Sequence, residues 1–529
     1  MNKFLKFLFT LLLVIFVLVW AFKQILPINR PLDASNKIES VIQFIEDSYV
    51  DTVNRDELIK AAINGMLQYL DPHSVYTDAI ENKQFEESMT GEFEGVGIQF
   101  NIMNDTIMVI AAVSGGPSEK VGIKAGDRII SVDGENVAGI GIDNNRVMKT
   151  LRGKKGSIVK IGIVRPGVDQ QLDFVVKRDV IHNNTITAPY MIDKKTGYIK
   201  IDQFGNTTAS EFEVALLKLK AQGMQKLILD LRGNAGGYLT SAITICDHLL
   251  ADKETILSVE GRNTQKEVIQ ATKAGLFQTG DVVVLIDEFS ASASEIVAGA
   301  VQDNDRGWVV GRRSFGKGLV QQHTEFDDGS SLRLTVSRYH TPSGRCIQRD
   351  YHSGTDAYYE DLVQRYENGE MDSVNNIKFA DSLKFYTKKG RVVYGGGGIM
   401  PDHFVGLDKR DYSPDYLILI NSPKLIEFTF DYTHKHETEL NKKYYSPSKF
   451  VEEMNVTQAI LDEYVRFFMK SESKNMPQYP KLSTDEIADL KLWLKALIGR
   501  NLYQDEAFYP VLNKMDNTVN KALELNGRP

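Results

Sequence analysis

Cysteine is nearly absent: Cys246 and Cys346 are the only two in 529 residues. A disulfide framework and a cysteine metal cluster are therefore excluded, and only a single bridge stays open. Histidine is as sparse, nine in all and scattered. The nearest pair, His434 and His436, sits in a polar run and reads as solvated loop residues, so no metal centre is expected. There is no excess of basic charge, the net charge being −8, which removes nucleic acid as a default partner. Nor is there a low-complexity tract or internal repeat. At 42% hydrophobic and 25% charged residues the composition is that of an ordinary folded chain, long enough for two to four domains.

What the first residues lack is polarity. Lys3 and Lys6 precede Phe7 to Phe22, where Thr10 is the only polar side chain. A basic start followed by about 17–25 apolar residues is long enough to cross a membrane. No small-x-small cleavage site follows, only Lys23-Gln24-Ile25-Leu26-Pro27. The expectation is an uncleaved signal anchor or transmembrane helix over 1–24. The rest of the chain would then be exported: anchored in the inner membrane with its bulk in the periplasm, if the cell is Gram-negative.

Beyond Pro27 and Pro31 the apolar spacing turns helical, first at Ile38, Val41, Ile42 and Ile45, then from Leu58 to Leu70, stopping at Asp71-Pro72. From Gly91 short β-branched runs (GVGIQF, TIMVIAAV, DRIISVDG, SIVKIGIV, QLDFVVKR) alternate with turn residues, and Asp133-Gly134 marks a hairpin. Two short helices, near Ser118–Val121 and Asn145–Leu151, interrupt them. After Thr187, strands at 197–201, 226–231 and 282–286 alternate with helices at 209–221, 238–250 and 293–303, the pattern of an α/β core. From Asp402 the chain reads as mostly helical, and Ser483-x-x-Glu486 opens its clearest helix with a capping box.

Chemistry concentrates in VVVLIDEFSASASEIVAGA. An apolar strand runs into a turn and then a helix that begins near Ser292, where N–H groups lack partners and the helix dipole is positive. A serine there can be activated as a nucleophile, with the Ala293 N–H facing a developing oxyanion. The plain alternative is that Ser292-x-x-Glu295 is a capping box. A base is available in WVVGRRSFGKGLVQ: Lys317 lies between two glycines beside Phe315, Leu319 and Val320, and desolvation would favour its neutral form. Gln321, four residues on, can orient it without adding charge. The same stretch, Gly311-x-x-x-x-Gly316-Lys317, also fits a P-loop, with Asp230 or Asp287 as the magnesium aspartate. Gly318 stands where that motif needs Ser or Thr, and a strand-like run follows where a helix is required. Upstream, LILDLRGNAGG is a strand followed by a glycine-rich turn. An N–H at Gly236 or Gly237 could supply a second oxyanion donor, or the turn could be an ordinary strand–helix connection.

Taken together, SASASEIVAGA, FGKGLVQ 25 residues on, and DLRGNAGG upstream resemble the carboxy-terminal processing (tail-specific) serine peptidases. The resemblance runs from about Leu70 to Asp402. It implies a catalytic Ser292, Lys317 and Gln321, with an oxyanion hole from the Ala293 N–H and a backbone N–H of the glycine turn. GEFEGVGIQF followed by GGPSEKVGIKAGDRIISVDG resembles a PDZ domain, with Gly95, Val96, Gly97 and Ile98 as its loop for a peptide C-terminus. The implied fold is an α/β protease core of ClpP/crotonase-like type, a β-sheet with flanking helices, carrying an inserted β-rich PDZ domain between helical N- and C-terminal segments. The divisions fall at 33–84 (helical), 91–178 (PDZ), 180–402 (core) and 403–529 (C-terminal extension). The expected function is an exported, membrane-anchored serine endopeptidase that captures substrate C-termini and cuts near them. It needs no cofactor or metal; its partners are proteins or peptides with free C-termini, and a homo-oligomer stays open. The competing reading is a catalytically silent PDZ scaffold.

Overall fold

Long apolar runs that are β-branched and too short for helices become buried parallel strands, and their amphipathic neighbours cover them. The computed structural model describes residues 36–263, 265–472, 476 and 478–529. The anchor expected over 1–24 lies outside these residues. Among the described residues no helix is long and apolar enough to cross a membrane.

The chain divides into two compact units at Leu70/Asp71. In the first, helices Lys37–Ser48 and Arg55–Gln68 follow the expected apolar spacing. Asn54 caps the second through the N–H groups of Asp56 and Glu57, and Arg55 pairs with Glu39 and Glu46.

The second unit is organised around a six-stranded sheet. Its order is Ile186–Met191, Thr196–Ile201, Lys226–Asp230, Asp281–Ile286, Trp308–Gly311, His403–Phe404, all parallel after the first antiparallel pair. Helices Thr208–Ala221, Leu239–Leu249 and Ala293–Asp303 share one apolar core with strand residues such as Leu227, Leu229, Val282 and Val284. The opposite face, with Tyr198, Ile228, Val283 and Leu285, is covered by Val519 and Ala522 of helix Asn517–Glu524. The sheet thus runs one strand past residue 402, and the last helix of the chain closes its back. Lys226 caps that helix, donating to the carbonyls of Ala522 and Leu523 at 2.7 and 3.2 Å.

A second sheet was not foreseen. Ser331–His340 pairs with Val75–Thr77, Thr255–Glu260 and Leu319–Glu325, and Thr255–Glu260 with Glu267–Gln270. The segment expected to be helical over 33–84 is interrupted by strand Val75–Thr77, its helix Ala79–Thr90 runs on past residue 84, and helix Thr355–Glu367 adds to the expected elements.

Residues 92–182 form the β-rich module. Strands Ile98–Met103, Thr106–Ala112, Arg128–Val132, Ile158–Val164 and Leu172–Lys177 make one antiparallel sheet, with helices Pro117–Val121 and Asn144–Leu151. Asp133 (φ 51°) and Gly134 (φ 84°) form the expected turn, both left-handed as a two-residue hairpin requires. A ribbon of Glu92–Gly95 and Asp179–His182 joins the module to the core. It has a second attachment as well. Phe430, on helix Pro423–Lys443, is buried with Met103 and Met108 of the module. Beside it Asn104 donates to Glu427, and Lys124 pairs with Glu437, each at 2.8 Å. His434 and His436 are therefore not loop residues. Both sit on that helix, and a Cβ on Gly126 would come within 3.2 Å of the His434 ring.

Candidate active site

Three neighbouring parallel strands deliver the site. The turns after Lys226–Asp230, Asp281–Ile286 and Trp308–Gly311 leave the same edge of the sheet, because parallel neighbours end together. The first turn carries Gly236 and Gly237, the second Ser292 and Ala293, and the third Lys317. Gln321 follows on strand Leu319–Glu325. All six line one cavity of about 660 Å³.

Ser292 is the N-cap of helix Ala293–Asp303, every residue of which is buried. Its backbone lies at φ 53°, ψ −110°, a strained conformation for a side-chain-bearing residue that costs on the order of 1–3 kcal/mol. Glu295 holds it there. The Glu295 carboxylate accepts the Ser292 N–H at 2.9 Å, the Gly316 N–H at 2.7 Å, the Lys317 N–H at 2.8 Å and the Ser314 hydroxyl at 2.5 Å. Burial raises its pKa, opposed by these donors. Tyr339 adds a second link, its hydroxyl reaching the carbonyls of Ser292 at 3.2 Å and Lys317 at 3.0 Å. The capping-box reading thus captures one bond of a larger clamp: Glu295 ties the serine turn to the lysine turn.

The Lys317 amine donates to Gln321 Oε1 at 3.0 Å, and the Gln321 amide donates to the carbonyl of His73. Gln321 is therefore fixed in the orientation that presents an acceptor to the lysine. Burial, and next the nearby Arg333 charge, push the Lys317 pKa below its ordinary value, against Asp71 and Glu295. His73, which sequence spacing gave no reason to place here, bonds the Tyr358 hydroxyl at 2.9 Å. Burial and the Lys317 charge lower its pKa to about 4, so its ring is neutral at pH 7.

The two glycines separate by their hydrogen bonds. The Gly236 N–H donates to Asn234 Oδ1 at 2.8 Å. The Gly237 and Ala293 N–H groups donate to nothing among the described residues. Gly236 (φ 102°) packs against the serine so closely that a Cβ on it would lie 2.8 Å from Ser292 Cβ.

The P-loop reading fails on geometry. Strand Leu319–Glu325, not a helix, follows Lys317. Asp230 is held by Arg232 and by the Tyr198 hydroxyl at 2.8 Å; Asp287 accepts the N–H groups of Gly233, Phe289 and Ser290. Among the described residues no group of His, Cys, Asp and Glu could hold a metal ion.

Gly95, Val96, Gly97 and Ile98 line a separate cavity of about 270 Å³, together with Phe100 and Met148. Gly97 adopts φ 74°, and Ile98–Met103 is an edge strand whose outer side is unpaired, as addition of a peptide strand requires. Arg152, also on this cavity, pairs with Glu87 of helix Ala79–Thr90, the helix whose Phe85, Glu86 and Met89 line the larger cavity.

Comparison with known proteins agrees with this architecture. The model of peptidase family S41 matches residues 195–356 and that of the PDZ domain matches 95–176. An activating protease CtpB N-terminal domain matches 24–80, and a family of unknown function 416–504. The carboxy-terminal processing protease CtpB of Bacillus subtilis (strain 168) is 40% identical over 60% of this chain and 66% of its own length. The carboxy-terminal processing protease CtpA of the same strain is 36% identical over 66% of this chain and 75% of its own. A solved photosystem II D1 C-terminal processing protease is 26% identical over 58% of this chain and 88% of its own, with a TM-score of 0.33, too loose a likeness to bear on the site.

Proposed function

Since the chain belongs to the C-terminal processing family of serine peptidases, with a PDZ domain, we propose that Ser292, Lys317 and Gln321 are its catalytic residues. Ser292 Oγ attacks the scissile carbonyl carbon while neutral Lys317 takes its proton. The oxyanion is held by the N–H groups of Ala293 and Gly237, neither of which has another acceptor among the described residues. Lys317 returns the proton to the leaving amine. A water then attacks the acyl-enzyme, giving its proton to Lys317, which passes it to the departing Ser292 Oγ and is neutral again. Gln321 positions Lys317 without charging it, and Glu295 holds nucleophile and base in register.

The observation that supports this reading most is the single buried carboxylate of Glu295 bonded to the N–H groups of both Ser292 and Lys317. A capping role would engage the first alone. The free-edged PDZ groove at Gly95–Ile98 supports capture of a substrate C-terminus as an added strand. The reading extends to a membrane anchor over 1–24, an extracytoplasmic location, a ClpP/crotonase-like core, and domain divisions at 33–84, 91–178, 180–402 and 403–529.

A serine-directed phosphonate probe tests the dyad without knowledge of the substrate. It is expected to label Ser292 in the wild type and to lose labelling in Lys317→Ala. Equal labelling in that variant would remove Lys317 as the base, and labelling elsewhere would remove Ser292 as the nucleophile.

A further inference from the structure

The active-site cavity holds one cation that the mechanism above does not use. Arg333, on strand Ser331–His340, lines the cavity with Ser292 and Lys317. Its guanidinium stacks 3.9 Å over the ring of Phe85. Among the described residues it makes no hydrogen bond or ion pair, and its Nε is buried without a partner. Glu86, an acid on the same cavity wall, acts on Arg333 through its charge without bonding it and lies 3.6 Å from His323. A buried N–H without an acceptor is costly, and a planar guanidinium stacked on a ring presents its N–H edge in a fixed direction.

The strand register fixes where that edge lies. Gln321 pairs with Thr335, and His323 with Arg333. Side chains alternate along a strand, so these four share one face. Arg333 is thus two residues, about 7 Å, along the ribbon from the Gln321–Lys317 pair. An extended substrate advances at the same rise, so the group two residues from the bond under attack comes level with Arg333.

Resting on the peptidase reading above, we propose that Arg333 is a specificity-determining residue that takes a substrate carboxylate two residues from the scissile bond. That carboxylate is either an acidic side chain or the α-carboxylate of a substrate cut two residues from its end. Arg333 also depresses the Lys317 pKa, so its variants alter the general base too, and ratios between substrates are the quantity to read.

The test uses the full chain and matched peptides. One set carries Glu or Gln at the second residue on either side of the cut. The other ends two residues past the cut as free acid or amide. Wild type should favour Glu over Gln, or acid over amide, by about tenfold or more in kcat/KM, and the set that responds identifies the source of the carboxylate. Arg333→Gln should abolish that ratio, and Arg333→Lys should restore it only in part. The PDZ groove contributes equally to wild type and variant, so it cancels. Ratios unchanged in Arg333→Gln, with neutral peptides still cut and Ser292→Ala inert, would overturn the subsite and leave the peptidase reading standing. Failure of wild type to cut any peptide would overturn both.

Discussion

The Lys317 amine donates to the side-chain carbonyl of Gln321 at 3.0 Å. A neutral acceptor orients the lysine without adding a charge, and burial keeps the pKa low. Replacing Gln321 by Glu puts an opposite charge in that place and should raise the Lys317 pKa by about one unit or more. With Lys317 as the proposed base, which acts unprotonated, kcat/KM is expected to rise as pH rises through the Lys317 pKa. The acid limb of the Gln321→Glu profile should therefore move to higher pH, with activity at pH 7 down about tenfold. A profile superimposable on wild type would dissociate Gln321 from the base.

Glu295 is the second lever. Glu295→Gln turns an acceptor of three N–H groups into a group that brings two donors of its own. Each N–H left buried and unpaired costs about 1–3 kcal/mol. The variant should lose at least about 100-fold in kcat and several degrees in Tm, whereas KM should change little. Thermal unfolding and steady-state kinetics on the same preparation check this. An active, equally stable variant would show that the clamp does not set the catalytic geometry.

Gly236→Ala separates space from hydrogen bonding. The added Cβ would meet Ser292 Cβ at 2.8 Å, at a φ of 102° that alanine disfavours. Activity should fall by about 100-fold or more, the cost of losing oxyanion alignment. Retention of the fold is checked by circular dichroism, and normal turnover would mean that the serine turn can yield.

Phe430 bears on the C-terminal extension. It is buried between Met103 and Met108 of the PDZ module, and truncating a buried phenylalanine costs about 3–5 kcal/mol. Phe430→Ala should free this second attachment and leave only the Glu92–Gly95/Asp179–His182 ribbon. Limited proteolysis should then cut near residues 92 and 182 in the variant before the wild type. Identical patterns would show that the tail does not hold the module.

The parts of the molecule legible from sequence are those whose signal is local. Helix Ala293–Asp303, the strands flanking it, the Asp133-Gly134 turn and the Ser483/Glu486 cap each leave a pattern within a few residues, and the structure has them where that pattern put them. Residues 236, 237, 292, 293, 317 and 321 share one cavity because three parallel strands end on one edge. Long-range features were not legible. Thr77 meets Ser331 across 254 positions, and nothing near either residue announces it. Glu295 read as a cap because one of its bonds is a cap bond; its bonds to Gly316 and Lys317 come from a turn more than twenty residues away. His434 read as solvated because its neighbours in sequence are polar, while Gly126, against which it and Phe430 lie, belongs to the PDZ module more than 300 residues earlier.

Turnover of an unfolded protein by the full chain, beside Ser292→Ala and Lys317→Ala, tests the central claim most directly. The account predicts cleavage by wild type near the substrate C-terminus and none by either variant, with both variants folded as judged by Tm. Cleavage by a folded Lys317→Ala at the wild-type rate would contradict it. So would a wild type that binds C-terminal peptides yet cuts nothing.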